Sequence, residues 1–166
     1  MQLYIVRHGI AIDREDPKCP PDPERFLTPE GVDKAKQVAK GIAEIGAVPD
    51  LMLSSPYFRA FQTAEIFANT LEYSKNKIQK SELLLPGAEP LQLFRELSKD
   101  KQASSVFIFG HAPHLDDVLA TALAVKHHIT SLKKAGVALV ELTRLVPPSG
   151  QLLWLATPKL LRKAAK

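Results

Sequence analysis

Four residues in three distant stretches of the chain carry side chains suited to handling a tetrahedral dianion: Arg7, His8, Arg59 and His111. Guanidinium groups remain charged throughout the physiological range and can fork onto two oxygens of one anion. An imidazole flanked by such cations resists a second positive charge, so its pKa falls and a neutral nitrogen is left to attack phosphorus. The arginines and the second histidine would then stabilise charge on the equatorial oxygens of a transferring phosphoryl group. That chemistry requires the four side chains to converge.

The segments that carry them share one pattern, an apolar run that stops abruptly in polar residues. Leu3-Tyr4-Ile5-Val6 reads as a short buried strand ending in Arg7-His8-Gly9, with Gly9 letting the backbone turn or a ligand approach closely. Ser105-Val106-Phe107-Ile108-Phe109 is the clearest buried strand and ends in Gly110-His111. Leu51-Met52-Leu53-Ser54 reads as another strand, after which Ser55-Pro56 opens a helix as cap and first residue. Arg59 falls in its first turn, off the inward stripe of Phe61, Ala64, Phe67, Ala68 and Leu71. A cation there opposes the partial positive charge of a helix N-terminus unless an anion joins them.

The rest of the chain supplies the frame. Residues 10–27, rich in Pro, Asp and Glu, are too broken for a regular element and read either as a solvated excursion or as a flap over the strand tip. Thr28 and Pro29 start a helix with Val32, Ala35, Val38, Ala39 and Ile42 on one face, stopped by Gly46 and Pro49. Ile78 to Leu85 is a weaker extended segment before a Pro86-Gly87 turn. Pro90 begins a helix through Leu97, with Leu91, Phe94 and Leu97 inward, and Pro113 begins another lined by Leu115, Val118, Leu119, Ala122 and Leu123. Gly136 to Leu142 and Leu152 to Ala156 read as a hairpin joined through Pro147-Pro148-Ser149-Gly150. Strands alternating with helices predict an α/β fold: three layers, a mostly parallel central sheet with helices on both faces, and a C-terminal antiparallel hairpin. Ligands bind beyond the carboxyl ends of such strands, where all four residues fall.

Composition bounds the alternatives. The 166 residues, 45% hydrophobic, suit one domain over 1–158 followed by a basic tail, 159–166, read as a solvated helix end. The lone Cys19 excludes an internal disulfide framework and points to a reducing, cytoplasmic setting. No apolar run is long enough to span a membrane. The net charge of +4 comes from scattered cations often paired with acids, so neither nucleic acid nor membrane is expected as a partner. A monomer is expected.

Arg7-His8-Gly9, Ser54-Ser55-Pro56 leading to Arg59 and Gln62-Thr63-Ala64, and Gly110-His111 after a late strand resemble the histidine phosphatase superfamily in order and spacing over most of the chain. The short length and the segment Leu27-Thr28-Pro29-Glu30-Gly31 resemble its SixA-type phosphohistidine phosphatases. The resemblance implies a phosphoglycerate mutase-like fold, His8 as the phosphorylated nucleophile, and a phosphate pocket of Arg7, Arg59 and His111 with Ala112 beside it. It implies no cofactor or metal, and as substrate either a phosphohistidine-bearing protein or a small phosphorylated molecule. Larger relatives use a carboxylate after the second arginine as proton donor; Glu82 and Glu89 are the candidates here, and each also reads as a surface acid. The imidazole leaving from a phosphohistidine can be protonated before departure, whereas an alkoxide needs a general acid, so a missing donor favours phosphoramidates. A small-molecule phosphomonoesterase and a noncatalytic phosphate- or phosphoprotein-binding module are the competing readings. His111, His114, Asp116 and Asp117 lack a second ligand cluster for a metal. His114 is assigned to the pocket rim or a helix cap, His127-His128 to a solvated helix end, and Gln62 and Thr63 to the pocket or to helix packing.

Overall fold

The computed structural model describes residues 1–165, so the last residue of the predicted tail, Lys166, lies outside the described residues. In chain order the elements are β1 (Gln2–Arg7), α1 (Pro29–Glu44), β2 (Leu51–Ser54), α2 (Phe58–Thr70), β3 (Gln79–Lys80), α3 (Pro90–Leu97), β4 (Ser105–Gly110), α4 (His114–Ala122), β5 (Val137–Leu145), β6 (Pro148–Ala156) and α5 (Pro158–Ala164). They form one sheet of order β3-β2-β4-β1-β5-β6. The first four of these run parallel, while β5 is antiparallel to β1 and to β6. This is the predicted three-layer α/β arrangement with a terminal hairpin.

The central strands are apolar throughout because both faces of the sheet are covered. Leu3 and Ile5 of β1, with Val106 and Ile108 of β4, pack on Leu93 and Phe94 of α3 and Leu115, Val118 and Leu119 of α4. The alternate residues Tyr4, Val6, Phe107 and Phe109 meet Val38 and Ile42 of α1 and Ala64 and Phe67 of α2. The Tyr4 and Phe107 rings stack at 4.1 Å, and Phe67 meets Phe109 edge-on at 5.3 Å. Period-two alternation thus serves two cores at once.

Several boundaries differ from the sequence reading. The predicted extended segment after Ile78 shrinks to the two residues of β3, followed by a tight turn over Glu82–Leu84. In α3 the inward positions are Leu93, Phe94 and Leu97, and Leu91 is exposed. The predicted helix at Pro113 starts one residue later. β5 and β6 extend past the predicted joint, so Pro148, Ser149 and Gly150 belong to the strand and only Val146 and Pro147 turn. The tail is more than a solvated end, since α5 buries Leu161 against α1, where a Cβ on Gly41 would sit 2.1 Å from the Leu161 carbonyl oxygen. Among the described residues no helix is long and apolar enough to cross a membrane.

The predicted cap of α1 is present, with the Thr28 hydroxyl accepting from Gly31 N at 3.0 Å. The same turn grips the chain just past the β1 tip: Thr28 N and Oγ1 both donate to the Ile10 carbonyl, at 2.9 and 3.3 Å. Gly31 leaves the space for that carbonyl, because a Cβ there would lie 2.0 Å from the Ile10 oxygen. We therefore expect Gly31→Ala to destabilise the fold by about 1–3 kcal/mol, the usual range for overpacking against rigid atoms. Urea unfolding measures it, and an unchanged midpoint would show that α1 and the segment after Gly9 are not locked together here.

Candidate active site

The strand registers bring the chemical residues to one edge. Arg7 lies opposite Gly110, Ser54 opposite Phe109, and Val6 opposite Val137 at the start of the antiparallel β5. Backbone bonds continue the alignment past the strands: His8 N donates to Gly110 O (3.0 Å), Ser55 N to Phe109 O (2.9 Å), and Ala135 N to His8 O (3.0 Å). The result is a crevice of about 360 Å³ lined by Arg7, His8, Arg59, His111 and Ala112. The structure brings these five sequence-selected residues together, and Ala11, Arg14, Arg25, Pro86, Pro113 and Lys134 complete the lining.

His8 is held by bonds that select one tautomer. Its Nδ1 faces the Gly9 carbonyl at 2.7 Å, which can only accept, so Nδ1 carries the hydrogen. Its Nε2 faces Arg59 Nε at 3.3 Å, which can only donate, so Nε2 presents a lone pair. The residue is 8% exposed. Burial pushes its pKa down, the Gly9 carbonyl opposes this, and the charges of Arg59, Arg7 and Lys134 add to the depression, leaving it at about 3. Desolvation, rather than the arginines alone, is the main reason that the ring is neutral.

The glycine after it works through space. A Cβ on Gly9 would lie 3.2 Å from the Gly31 oxygen and 3.3 Å from the Leu27 side chain, so its small size serves packing against α1 and the end of the loop. Gly9 N donates to Thr63 Oγ1 (3.1 Å), which itself donates to the Arg59 carbonyl (2.8 Å). Thr63 therefore joins the β1 tip to the first turns of α2. Gln62 accepts from Leu27 N at 2.8 Å and anchors the end of the loop over residues 10–27.

His111 sits 5.2 Å from His8 between ring centroids and bonds through Nε2 to Ser55 Oγ at 2.8 Å. Ser55 is thus not the cap of α2, which begins at Phe58 without a side-chain cap; its hydroxyl orients His111 and accepts weakly from Tyr57 N. Tyr57 meets the His111 ring edge-on at 5.3 Å and lies under the Arg59 guanidinium at 5.1 Å. Burial foremost, and then the charge of Arg59, lower the His111 pKa to about 3. Arg7 donates through Nη1 to the Leu132 carbonyl, while Asp116, 4% exposed, accepts from Leu132 N at 2.9 Å and opposes the Arg7 charge.

The loop over residues 10–27 resolves as a flap. Arg59, 3% exposed, donates from Nη1 to the Asp22 carbonyl (2.7 Å) and from Nη2 to its carboxylate (3.3 Å). Arg14 and Arg25 bind the other carboxylate oxygen at 3.2 and 3.1 Å. Partial burial would raise the Asp22 pKa, but the Arg25 bond and the charges of Arg59 and Arg14 outweigh it and hold the group ionised.

Glu82 and Glu89 stand elsewhere. Both are exposed, neither lines the crevice, and Glu89 caps α3 by accepting from Leu91 N. His111, His114, Asp116 and Asp117 are engaged in separate bonds, His111 to Ser55, His114 to the Leu83 carbonyl, Asp116 to Leu132 and Asp117 to His128. His114 is therefore a buried tie between the Glu82–Leu84 turn and α4 rather than a rim or a cap, and His128 pairs while His127 is exposed. Sequence reading missed Arg14, Arg25, Asp22, Tyr57 and Lys134. A signal existed for Lys134: the residues just before an antiparallel strand must land beside the carboxyl end of its parallel neighbours.

The model of the histidine phosphatase superfamily (branch 1) matches residues 3–84. An uncharacterized protein from Picosynechococcus sp. is 35% identical over 140 residues, covering 82% of each chain. The mitochondrial serine/threonine-protein phosphatase Pgam5 of Drosophila persimilis is 33% identical over 86 residues, which is 52% of this chain but only 28% of that protein. The solved protein histidine phosphatase SixA with tungstate superposes with a TM-score of 0.86 at 23% identity, over 97% of this chain and 99% of that one, a likeness of fold. With the Arg-His-Gly tip, the helical arginine and the second histidine assembled on that fold, the chain belongs to the histidine phosphatase superfamily.

Proposed function

We propose that this phosphatase hydrolyses phosphohistidine on proteins, without a metal, through a phosphohistidine intermediate on Nε2 of His8. The observation that carries the reading is the composition of the crevice wall: Arg7, Arg14, Arg25, Arg59 and Lys134 surround two neutral histidines, and no described carboxylate lines it. Asp22 lies nearby but is kept ionised by three arginines, the wrong state for a proton donor. Such a wall stabilises a phosphoryl group and offers a leaving alkoxide no acid. A protonated phosphoimidazole needs none.

In the first step the Nε2 lone pair of His8 attacks phosphorus, the N–P bond of the substrate breaks, and the substrate imidazole leaves neutral with the proton it already carried. The His8 Nδ1 hydrogen stays on the ring and donates to the Gly9 carbonyl, which stabilises the cationic character of the phosphorylated ring. Arg7 and Arg59 hold equatorial oxygens, and His111, whose Nδ1 is buried without a described partner, supplies a further polar contact. Water then attacks phosphorus, the new N–P bond breaks and phosphate is released. The similarity to SixA supports this substrate class. The match to a serine/threonine-protein phosphatase makes ester hydrolysis the second reading.

A panel of phosphohistidine peptide, phosphoserine peptide and sugar phosphate, each with chelator present, tests the substrate class. Phosphohistidine should be turned over fastest with chelator having no effect; a clear preference for esters, or loss of activity in chelator, overturns the reading. His8→Ala should lower kcat/KM by roughly 10³-fold or more and abolish the acid-labile phosphate label on the protein.

Because the Arg59 fork already grips Asp22, an incoming phosphoryl group competes with that carboxylate. Asp22→Asn should tighten inorganic phosphate binding by roughly two- to fivefold, the scale of one partly exposed ion pair, as read by calorimetry. Weaker binding would instead make Asp22 a support that orients Arg59.

The neutral histidines also shape the stability curve. Between 6.5, the ordinary imidazole value, and about 3, where folded His8 and His111 titrate, the unfolded chain binds more protons than the folded one. Stability therefore rises with pH through that window and is lost as pH falls towards 3. Thermal unfolding of the double variant His8→Phe/His111→Phe should show a shallower acid slope than the parent, and equal slopes would refute the assignment.

A further inference from the structure

Arg7 and Lys134 belong to two concavities at once. Besides the crevice they line an open groove of about 490 Å³ whose remaining charged walls are Lys34, Lys133, Lys159 and Arg162. Its cations come from four places in the chain, Arg7 at the end of β1, Lys34 on α1, Lys133-Lys134 in the turn before β5, and Lys159 and Arg162 three residues apart on α5. No acid lines it among the described residues.

The fold holds these charges in place. α5 is seated by Leu161 on Gly41, and Arg162 donates to Gln37 of α1, so the two α5 cations are fixed relative to Lys34. Lys34 pairs with Glu30, but among the described residues Lys133, Lys134 and Lys159 meet no carboxylate. Lys133, Lys134 and Lys159 repel one another and the neighbouring Arg162, and an anionic partner removes that penalty. By contrast, the larger groove between α1 and α2, about 630 Å³, mixes Lys36, Lys40 and Lys75 with Asp33 and Glu65 and shares no residue with the crevice.

The kind of anion follows from the side chains. A single phosphate calls for buried guanidinium forks, as in the crevice, whereas exposed lysines on separate elements suit carboxylates spread over a surface. We propose that the groove docks the acidic face of the phosphoprotein substrate, placing its glutamates and aspartates along Lys133, Lys134, Lys159 and Arg162 while the phosphorylated residue reaches His8. The inference rests on the phosphohistidine-protein reading and adds the chemical character of the protein to it.

The test uses two synthetic phosphohistidine peptides that differ only in carrying glutamates or glutamines around the phosphorylated residue. At low salt the glutamate peptide should have a kcat/KM roughly tenfold higher, through KM, and the advantage should fade as salt screens the groove. Lys133→Glu/Lys159→Glu should erase the advantage, whereas Lys101→Glu, outside the groove, should preserve it. Equal rates on the two peptides, or an advantage untouched by the double substitution, overturn the docking surface while leaving the phosphohistidine reading intact. Turnover of phosphoserine peptide with neither phosphohistidine peptide cleaved overturns both.

Discussion

The bond from Arg59 Nε to His8 Nε2 is the contact around which the molecule is arranged. It joins a helix start to a strand tip separated by about fifty residues, and both ends are almost completely buried. For it to form, β2 must bring α2 to the same edge as β1, which requires β4 between them in register. It also demands a neutral imidazole, because a donor on each side of the ring nitrogen would clash. Desolvation supplies that neutrality, and the Gly9 carbonyl fixes which nitrogen keeps the hydrogen. Sheet order, helix placement and protonation state are therefore one constraint seen at three scales.

That constraint explains why so many cations gather at an edge lacking a compensating acid in its wall. A guanidinium buried beside another would be costly without an anion. The flap meets part of the demand, with Asp22 receiving Arg14, Arg25 and Arg59 together, and Asp116 faces Arg7 from α4. The site is balanced by carboxylates placed on its arginines, Asp22 occupying the fork of Arg59 and Asp116 countering the charge of Arg7.

Much of this was readable from the chain before its fold. The strand tips were visible because a buried strand has no use for Arg-His or Gly-His at its end, and topology sends all such ends to one edge. Thr28 announced itself through the Thr-Pro pair, and its cap is present. Ser55-Pro56 carried the same local signature but yielded a different outcome, since a tertiary partner, His111, offers the hydroxyl a stronger bond than a helix N–H. Leu91 and Leu93 illustrate a related limit: in a two-turn helix, apolar spacing leaves the inward face ambiguous, and packing against the sheet decides it. The chain left open whether residues 10–27 form an excursion or a flap, because the answer depends on one carboxylate finding three arginines, a relation with no periodicity.

The placement of β1 between β4 and β5 has a consequence for how the molecule is made. On a ribosome β1 emerges before either of its partners, because its parallel partner lies about a hundred residues downstream and its antiparallel partner further still. Until then β1 exposes two unsatisfied edges and two apolar faces, the state in which nascent chains associate wrongly. Contacts of such long sequence separation also slow folding. His8 is therefore made well before the strands that bury it, and the surroundings that keep its ring neutral assemble only when β4 and β5 have joined β1.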